Sequence, residues 1–135
     1  MDKEKILSLF SLEGKVAIVT GGAGRLGYYH IDILHKAGAA VHSFDLLKND
    51  KIGTEMATQH LMDITDHKKV KKLVSDIYGR EGRIDILVNN AAINPKASNT
   101  TPENLKMFSP YEDYPPELWN KELAVGLSGA QFCTQ

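Results

Sequence analysis

Four short apolar runs, each closed by glycine, aspartate or asparagine, set the rhythm of the chain. Val16, Ala17, Ile18 and Val19 form the first, rich in β-branched residues and lacking polar alternation, which predicts a strand buried on both faces. It breaks into Thr20-Gly21-Gly22-Ala23-Gly24-Arg25-Leu26-Gly27. A helix should begin within that break and run to about Lys36, with Leu26, Tyr29, Ile33 and Leu34 as its apolar side and Gly38 as its stop. Residues 40–44 predict a second strand that ends at Asp45. Strand, glycine turn, helix and strand make a βαβ unit.

Residues 46–59 are weakly patterned and predict a loop or a short helix, followed by a brief third strand at residues 60–62 that ends at Asp63. Thr65 or Asp66 can cap a helix over residues 67–80, with Val70, Leu73, Val74 and Ile77 on one face and Gly79 and Gly82 marking its end. Residues 84–88 predict a fourth strand that ends at Asn89-Asn90-Ala91-Ala92. This alternation implies a parallel sheet covered by helices, a three-layer Rossmann-type α/β fold.

Beyond residue 92 the pattern changes. Residues 93–116 hold all five prolines and predict a long loop, the kind that serves as a lid or binding loop or lacks fixed structure. Pro116 can open a helix over residues 117–135, with Leu118, Trp119, Leu123, Leu127 and Phe132 available to pack, weakened by Gly126 and Gly129. The domain expectation is one incomplete nucleotide-binding domain over residues 1–135, with its core at 12–92. It lacks a fifth strand, as a fragment or a subunit completed by something else would.

The 135 residues suffice for one domain with one core. A formal charge of −1, with basic and acidic residues interleaved, points to neither nucleic acid nor an anionic membrane. The cluster Lys68, Lys69, Lys71 and Lys72 reads as a solvated helix face. Cys133, the single cysteine, excludes an internal disulfide and reads as a small packed hydrophobe. The amino terminus is too charged for a secretory leader, and no stretch is apolar enough for a membrane span, so a cytoplasmic location is expected. The five histidines, His30, His35, His42, His60 and His67, show no metal-ligand spacing, and no metal is expected.

The glycine segment carries the chemistry. Gly21 permits a tight turn, Gly24 and its neighbours let backbone N–H groups approach a diphosphate, and Gly27 lets the helix pack against the sheet, its N-terminus facing the phosphate charge. The alternative is a purely structural turn. No Lys-Ser/Thr pair follows the glycines, which disfavours a P-loop for nucleoside triphosphates. Asp45, closing the second strand, can accept both hydrogen bonds of an adenosine ribose diol and would repel a 2′-phosphate, so NAD is expected in preference to NADP. Arg25 complicates the choice, since its guanidinium could pair with that phosphate. The alternative for Asp45 is a solvated strand end. Asp63, Asn89 and Asn90 also end strands and either meet the ligand or only tie loops together.

The stretches Gly14-Lys15-Val16-Ala17-Ile18-Val19-Thr20-Gly21-Gly22-Ala23, Asp63-Ile64-Thr65-Asp66, Asp85-Ile86-Leu87-Val88-Asn89-Asn90-Ala91-Ala92 and residues 119–129 resemble, in that order, the short-chain dehydrogenase/reductase family over about residues 12–135. The long loop and Tyr114-Pro115-Pro116-Glu117-Leu118-Trp119-Asn120-Lys121 are similar to a subgroup linked to flagellin modification and nonulosonic-acid sugar biosynthesis. The resemblance implies an NAD(P)-dependent oxidoreductase acting on a hydroxyl or carbonyl of a sugar or related small molecule, in a possible homo-oligomer. It implies that Thr20, Gly21, Gly24, Arg25, Leu26 and Gly27 form the diphosphate turn. It also implies that Asp45 and Leu46 meet the ribose, that Asp63 and Ile64 line the adenine site, and that Asn90, Ala91 and Ala92 border the second ribose.

Three departures accompany it. Arg25 stands where the classical pattern has glycine, so that Gly24 gives the spacing of the extended, sugar-nucleotide-handling pattern. Gly126 stands where the family has its proton-relay asparagine. Ala91-Ala92 replaces the commoner alanine-glycine. The family's catalytic serine and tyrosine–lysine pair would fall beyond residue 135, so no catalytic residue is assigned within it. Neither Tyr111 nor Tyr114 has a lysine at the pair's spacing. The competing expectation is a catalytically inactive nucleotide-binding or assembly module, or a truncated, non-functional fragment.

Overall fold

The computed structural model describes residue 2 and residues 8–94 and 101–135. Most of the charged amino terminus and the middle of the 93–116 segment lie outside the described residues. Four parallel strands, β1 (Val16–Thr20), β2 (Ala40–Asp45), β3 (Thr58–Leu61) and β4 (Ile86–Val88), are arranged in the order β3-β2-β1-β4. β1 is therefore flanked on both sides and all five of its residues are buried, which is why its sequence runs apolar without alternation.

Successive residues of a strand point to opposite faces, and β1 divides the core accordingly. Val16 and Ile18 pack with Phe44, Met62, Ile64, Val70, Ile77 and Cys133 on one side. Ala17 and Val19 pack with Ile31, Ala39, Val41, Ile52 and Ala57 on the other. The thiol of Cys133 thus fills the core as a small hydrophobe, and burial pushes its pKa up.

Helix α1 (Arg25–Lys36) follows the glycine turn, with Gly24 at its N-cap and Gly38, at φ +102°, turning the chain after it. Its buried side corrects the expectation. Gly27 and Ile31 face the sheet and Tyr28 and Leu34 are partly buried, whereas Leu26, Tyr29 and Ile33 are 66, 60 and 63% exposed. The helix rests through Gly27 on the Gly21–Gly22 turn and through Ile31 on the sheet, and those contacts leave the Leu26–Tyr29–Ile33 stripe facing outward. Residues 46–57 form turns. Helix α2 (His67–Glu81) is capped by Asp66, which accepts a hydrogen bond from the Lys69 N–H at 3.1 Å, and ends at Gly82 in the left-handed conformation. Gly79 lies inside this helix and does not end it. β3 begins two residues before the predicted start and excludes Met62, and β4 is only three residues long.

The carboxyl-terminal third also differs from expectation. A short helix α3 (Pro102–Lys106) interrupts the predicted loop, and a single 3₁₀ turn covers Tyr111–Asp113. Thr101 caps α3 through its side-chain oxygen, and Pro102 occupies the first turn, where a missing N–H costs nothing. The final helix is not continuous: α4 (Pro116–Leu123) passes into a widened π-helical stretch, Ala124–Gly129, and then into α5 (Ala130–Thr134). Both glycines that weaken this helix lie in the widened stretch. Trp119, Leu123 and Leu127 remain exposed along one side.

Candidate functional site

The carboxyl ends of the parallel strands converge on a cleft of about 710 Å³, within the size range of small-molecule and cofactor sites. At its centre is the turn after β1. Gly21, at φ +66°, donates its N–H to the Phe44 carbonyl at 2.7 Å, and the Gly24 N–H closes the turn onto the Gly21 carbonyl at 3.1 Å. A Cβ at Gly21 would lie 2.8 Å from the Ala91 Cα, and one at Gly27 would collide with the Gly21 carbonyl oxygen. These two positions exclude side chains for separate reasons: one is where β1 and β4 end side by side, the other is where α1 rests on the turn.

Asp45 reaches across from the end of β2. Its Oδ2 accepts the Ala23 N–H at 3.0 Å and its Oδ1 the Leu47 N–H at 3.0 Å. Asn49 holds the next peptide of the turn, donating Nδ2–H to the Ala23 carbonyl at 3.1 Å. A carboxylate has about four acceptor positions, so each Asp45 oxygen keeps capacity for a further donor. Asp63 accepts both the N–H and the hydroxyl of Thr65 on Oδ1, at 2.9 and 2.7 Å.

β1 and β4 are tied by Thr20 and Asn90. The buried Thr20 Oγ1 donates to the Val88 carbonyl at 3.4 Å and accepts the N–H groups of Asn90 and Ala91 at 3.1 and 3.0 Å. The Asn90 side chain donates to the carbonyls of Thr20 and Gly21 at 2.9 and 3.1 Å. Thr20 lies beneath the cleft; its hydroxyl engages protein groups and it does not line the cavity.

Gly21, Gly24, Arg25, Leu26, Gly27, Asp45, Leu46, Asp63, Ile64, Asn90, Ala91 and Ala92 all line the cleft. Residues from four separate stretches of sequence are thus brought to one cavity. Phe44, Met62, Thr65, Ile93, Asn94, Lys121, Ala124 and Val125 join them without having been singled out by sequence. Phe44, Met62, Thr65, Ile93 and Asn94 adjoin predicted positions and could have been inferred. Lys121, Ala124 and Val125 required knowing that α4 and the widened stretch return to the cleft.

Arg25 and Lys121 supply positive charge and Asp45 and Asp63 negative charge on walls that are otherwise largely apolar. The fit to a dinucleotide rests on this chain's own features: a turn with no room for a Cβ at Gly21 or Gly27, the cation Arg25 on that same turn, and a carboxylate held in place with acceptor capacity remaining. Tyr111 and Tyr114 do not line the cleft; the Tyr114 hydroxyl donates to Glu122 Oε1 at 2.9 Å, and burial together with that contact raises its pKa. Among the described residues there is no cluster of three or more metal-ligating side chains, and no helix is long and apolar enough to cross a membrane.

Comparison with known proteins agrees with this geometry. The family model described as short chain dehydrogenase matches residues 15–135. The short chain dehydrogenase/reductase dpchG of Colletotrichum higginsianum is 37% identical over 126 residues, covering 87% of this chain and 42% of the relative. An NAD-dependent glycerol dehydrogenase of Listeria innocua is 28% identical over 131 residues, covering 93% of this chain and 47% of the relative. The crystal structure of 3-ketoacyl-(acyl-carrier-protein) reductase from Brucella melitensis complexed with NADH has a TM-score of 0.74 at 30% identity, covering 92% of this chain and 49% of that one. The chain spans less than half the length of each of these relatives.

Proposed function

The chain belongs to the short chain dehydrogenase family, and from that premise we propose that it supplies the NAD-binding part of an oxidoreductase acting on a hydroxyl or carbonyl group of a small molecule. The observation that carries the proposal is Asp45, a carboxylate on the cleft wall fixed by the N–H groups of Ala23 and Leu47. A ribose diol offers two donors to such a group, whereas a 2′-phosphate brings negative charge against it.

When bound, the nicotinamide ring would give or take the hydride. This chain's residues bind and orient. The turn from Gly21 to Gly27 presents backbone N–H groups and the N-terminus of α1 to the diphosphate, with Arg25 beside them. Asp45 and Leu46 meet the adenosine ribose, Asp63 and Ile64 border the adenine, and Asn90, Ala91 and Ala92 border the second ribose. Thr20 acts one layer below, holding the ends of β1 and β4 in register.

The finer reading is a sugar or related polyol as substrate, in the manner of the flagellin and nonulosonic-acid subgroup. It is supported by the resemblance of residues 114–121 and by the Gly24–Arg25 spacing of the turn. NADH fluorescence titration tests the cofactor assignment: saturable binding is expected, tighter for NADH than for NADPH. Absence of saturable binding for both, or a preference for NADPH, would overturn it.

A further inference from the structure

Two amide side chains outside the cleft link β3 to the glycine turn. Asn49, in the turns that follow β2, donates its N–H to Gln59 Oε1 at 2.9 Å and its Nδ2–H to the Ala23 carbonyl at 3.1 Å. Its Oδ1 accepts the Lys51 N–H at 3.0 Å. Gln59, on β3, donates from Nε2 to the carbonyls of Asn49 and Ile52 at 3.2 and 3.0 Å. These partners fix which end of each amide is oxygen and which is nitrogen. Gln59 is in register with Ser43, two residues before Asp45 on β2, so Gln59 and Asp45 stand on one face of the sheet. Neither Asn49 nor Gln59 lines the cleft. The bonds close a ring: Asp45 holds the N–H groups of Ala23 and Leu47, and Asn49, two residues beyond Leu47, returns to the Ala23 carbonyl.

We propose that Asn49 and Gln59 are positioning residues for the nucleotide site: they clamp the loop after β2 onto the diphosphate turn, and through Asp45 they set the preference for a ribose diol over a 2′-phosphate. Among the hydrogen bonds of the described residues, only the one from Asn49 joins this loop directly to the turn. Without it, the loop behind Asp45 is free to shift and the carboxylate loses its fixed direction. A carboxylate turned away from the ribose costs the diol its acceptor and relieves the repulsion of a 2′-phosphate. Loss of position thus weakens NADH and spares NADPH, whereas loss of stability alone weakens both alike. Gln59 acts one step further out, since it holds Asn49 by both its N–H and its carbonyl. The inference rests on the proposed reading of Asp45 as the ribose ligand.

Fluorescence titration of NADH and NADPH into the 135-residue chain and into its Asn49→Ala and Gln59→Met variants provides the test. Gln59→Met keeps the length of the side chain and removes its hydrogen bonds. Each variant should lower the preference for NADH by about three- to tenfold, the equivalent of one ordinary hydrogen bond, mostly through weaker NADH binding. Val70→Ala, at a buried position of α2 on the opposite side of the sheet, controls for stability. It should lower the melting temperature and leave the preference unchanged. Without ligand, hydrogen exchange followed by NMR should be faster at the Ala23 and Leu47 amides in both variants, with the β1 amides unaltered. An unmodified chain that prefers NADH beside two variants that keep the same preference would overturn the proposal. So would unaltered exchange at Ala23 and Leu47, or an equal loss of preference in Val70→Ala. No binding of either cofactor by the unmodified chain would sink the NADH reading, while faster Ala23 and Leu47 exchange in the variants would still support the clamp, so the two can fail separately.

Discussion

The Asp45 carboxylate accepts the Ala23 N–H at 3.0 Å, so the residue that closes β2 also holds the glycine turn that follows β1. Through this contact, the ligand selectivity proposed for Asp45 and the shape of the turn depend on one side chain. Asp45→Ser should therefore act twice. Loss of charge-assisted hydrogen bonds to the ribose should weaken NADH by about ten- to a hundred-fold and erode its advantage over NADPH. Release of the Ala23 and Leu47 N–H groups should also lower the melting temperature. Calorimetric titration of both cofactors, beside a melting curve, separates the effects. A lower melting temperature with undiminished NADH affinity would leave Asp45 as a turn clamp alone.

Thr20 makes a related prediction about the layer beneath the cleft. Thr20→Val keeps the shape but removes, at a site only 1% exposed, the acceptor of the Ala91 N–H, while the Asn90 N–H retains the Val88 carbonyl at 3.0 Å. An unsatisfied buried donor costs about 1–3 kcal/mol. Denaturant unfolding should show a loss of that order, with Thr20→Ser close to the unmodified chain. Equal stability of the two variants would mean that the hydroxyl does not tie β1 to β4.

The glycines separate by what surrounds them. A Cβ at Gly129 would sit 2.7 Å from Ile64 Cδ1, and one at Gly27 would strike the Gly21 carbonyl, whereas a Cβ at Gly126 meets nothing within 4 Å. Gly126→Ala should then stabilise by up to about 1 kcal/mol through helix propensity and reduced unfolded-chain entropy. Gly129→Ala should cost about 1–3 kcal/mol from overpacking. Gly27→Ala should weaken both stability and NADH binding. Melting curves of the three variants give the order; destabilisation by Gly126→Ala equal to that by Gly129→Ala would contradict it.

These contrasts show what the sequence could convey. β1 was legible because a central parallel strand must be apolar on both faces, and the place of Asp45 and Asp63 on the cleft because strand ends in such a sheet border it. The buried side of α1 was not. Helical periodicity allows two stripes here, and Leu26, Tyr29 and Ile33 outscore Gly27 and Ile31 in hydrophobicity. Glycine registers as neutral in such a count, although Gly27 is the point of closest approach. α3 escaped notice because five residues carry no periodicity and Pro102 reads as a loop residue until Thr101 is seen to cap a helix. The bonds from Thr20 reach residues 68 to 71 positions away, and no local pattern announces them.

Acid sensitivity should come from a histidine chain away from the cleft. His42 is buried on β2, its Nε2 3.3 Å from Glu81 Oε1 and its Nδ1 3.0 Å from His60 Nε2. Burial lowers the His42 pKa despite Glu81; a neutral ring that donates from Nε2 to Glu81 would accept the His60 Nε2–H at Nδ1. Burial, then His42, then Arg80 push His60 down from 6.5 to about 4. Because the folded values lie below the unfolded ones, the unfolded chain takes up protons first as pH falls. The stability contributed by neutral His60 is full above about 6.5 and is lost as pH falls toward about 4. Asp85, held below the usual carboxylate range first by Arg83 and then by the Val16 N–H, loses its contribution only below its ordinary 3.8, so the two windows are distinct. His60→Gln retains a donor for His42 but cannot titrate. Melting temperatures between about pH 7.5 and about pH 4.5 should fall more steeply for the unmodified chain than for this variant. Parallel profiles would place the acid sensitivity outside His60.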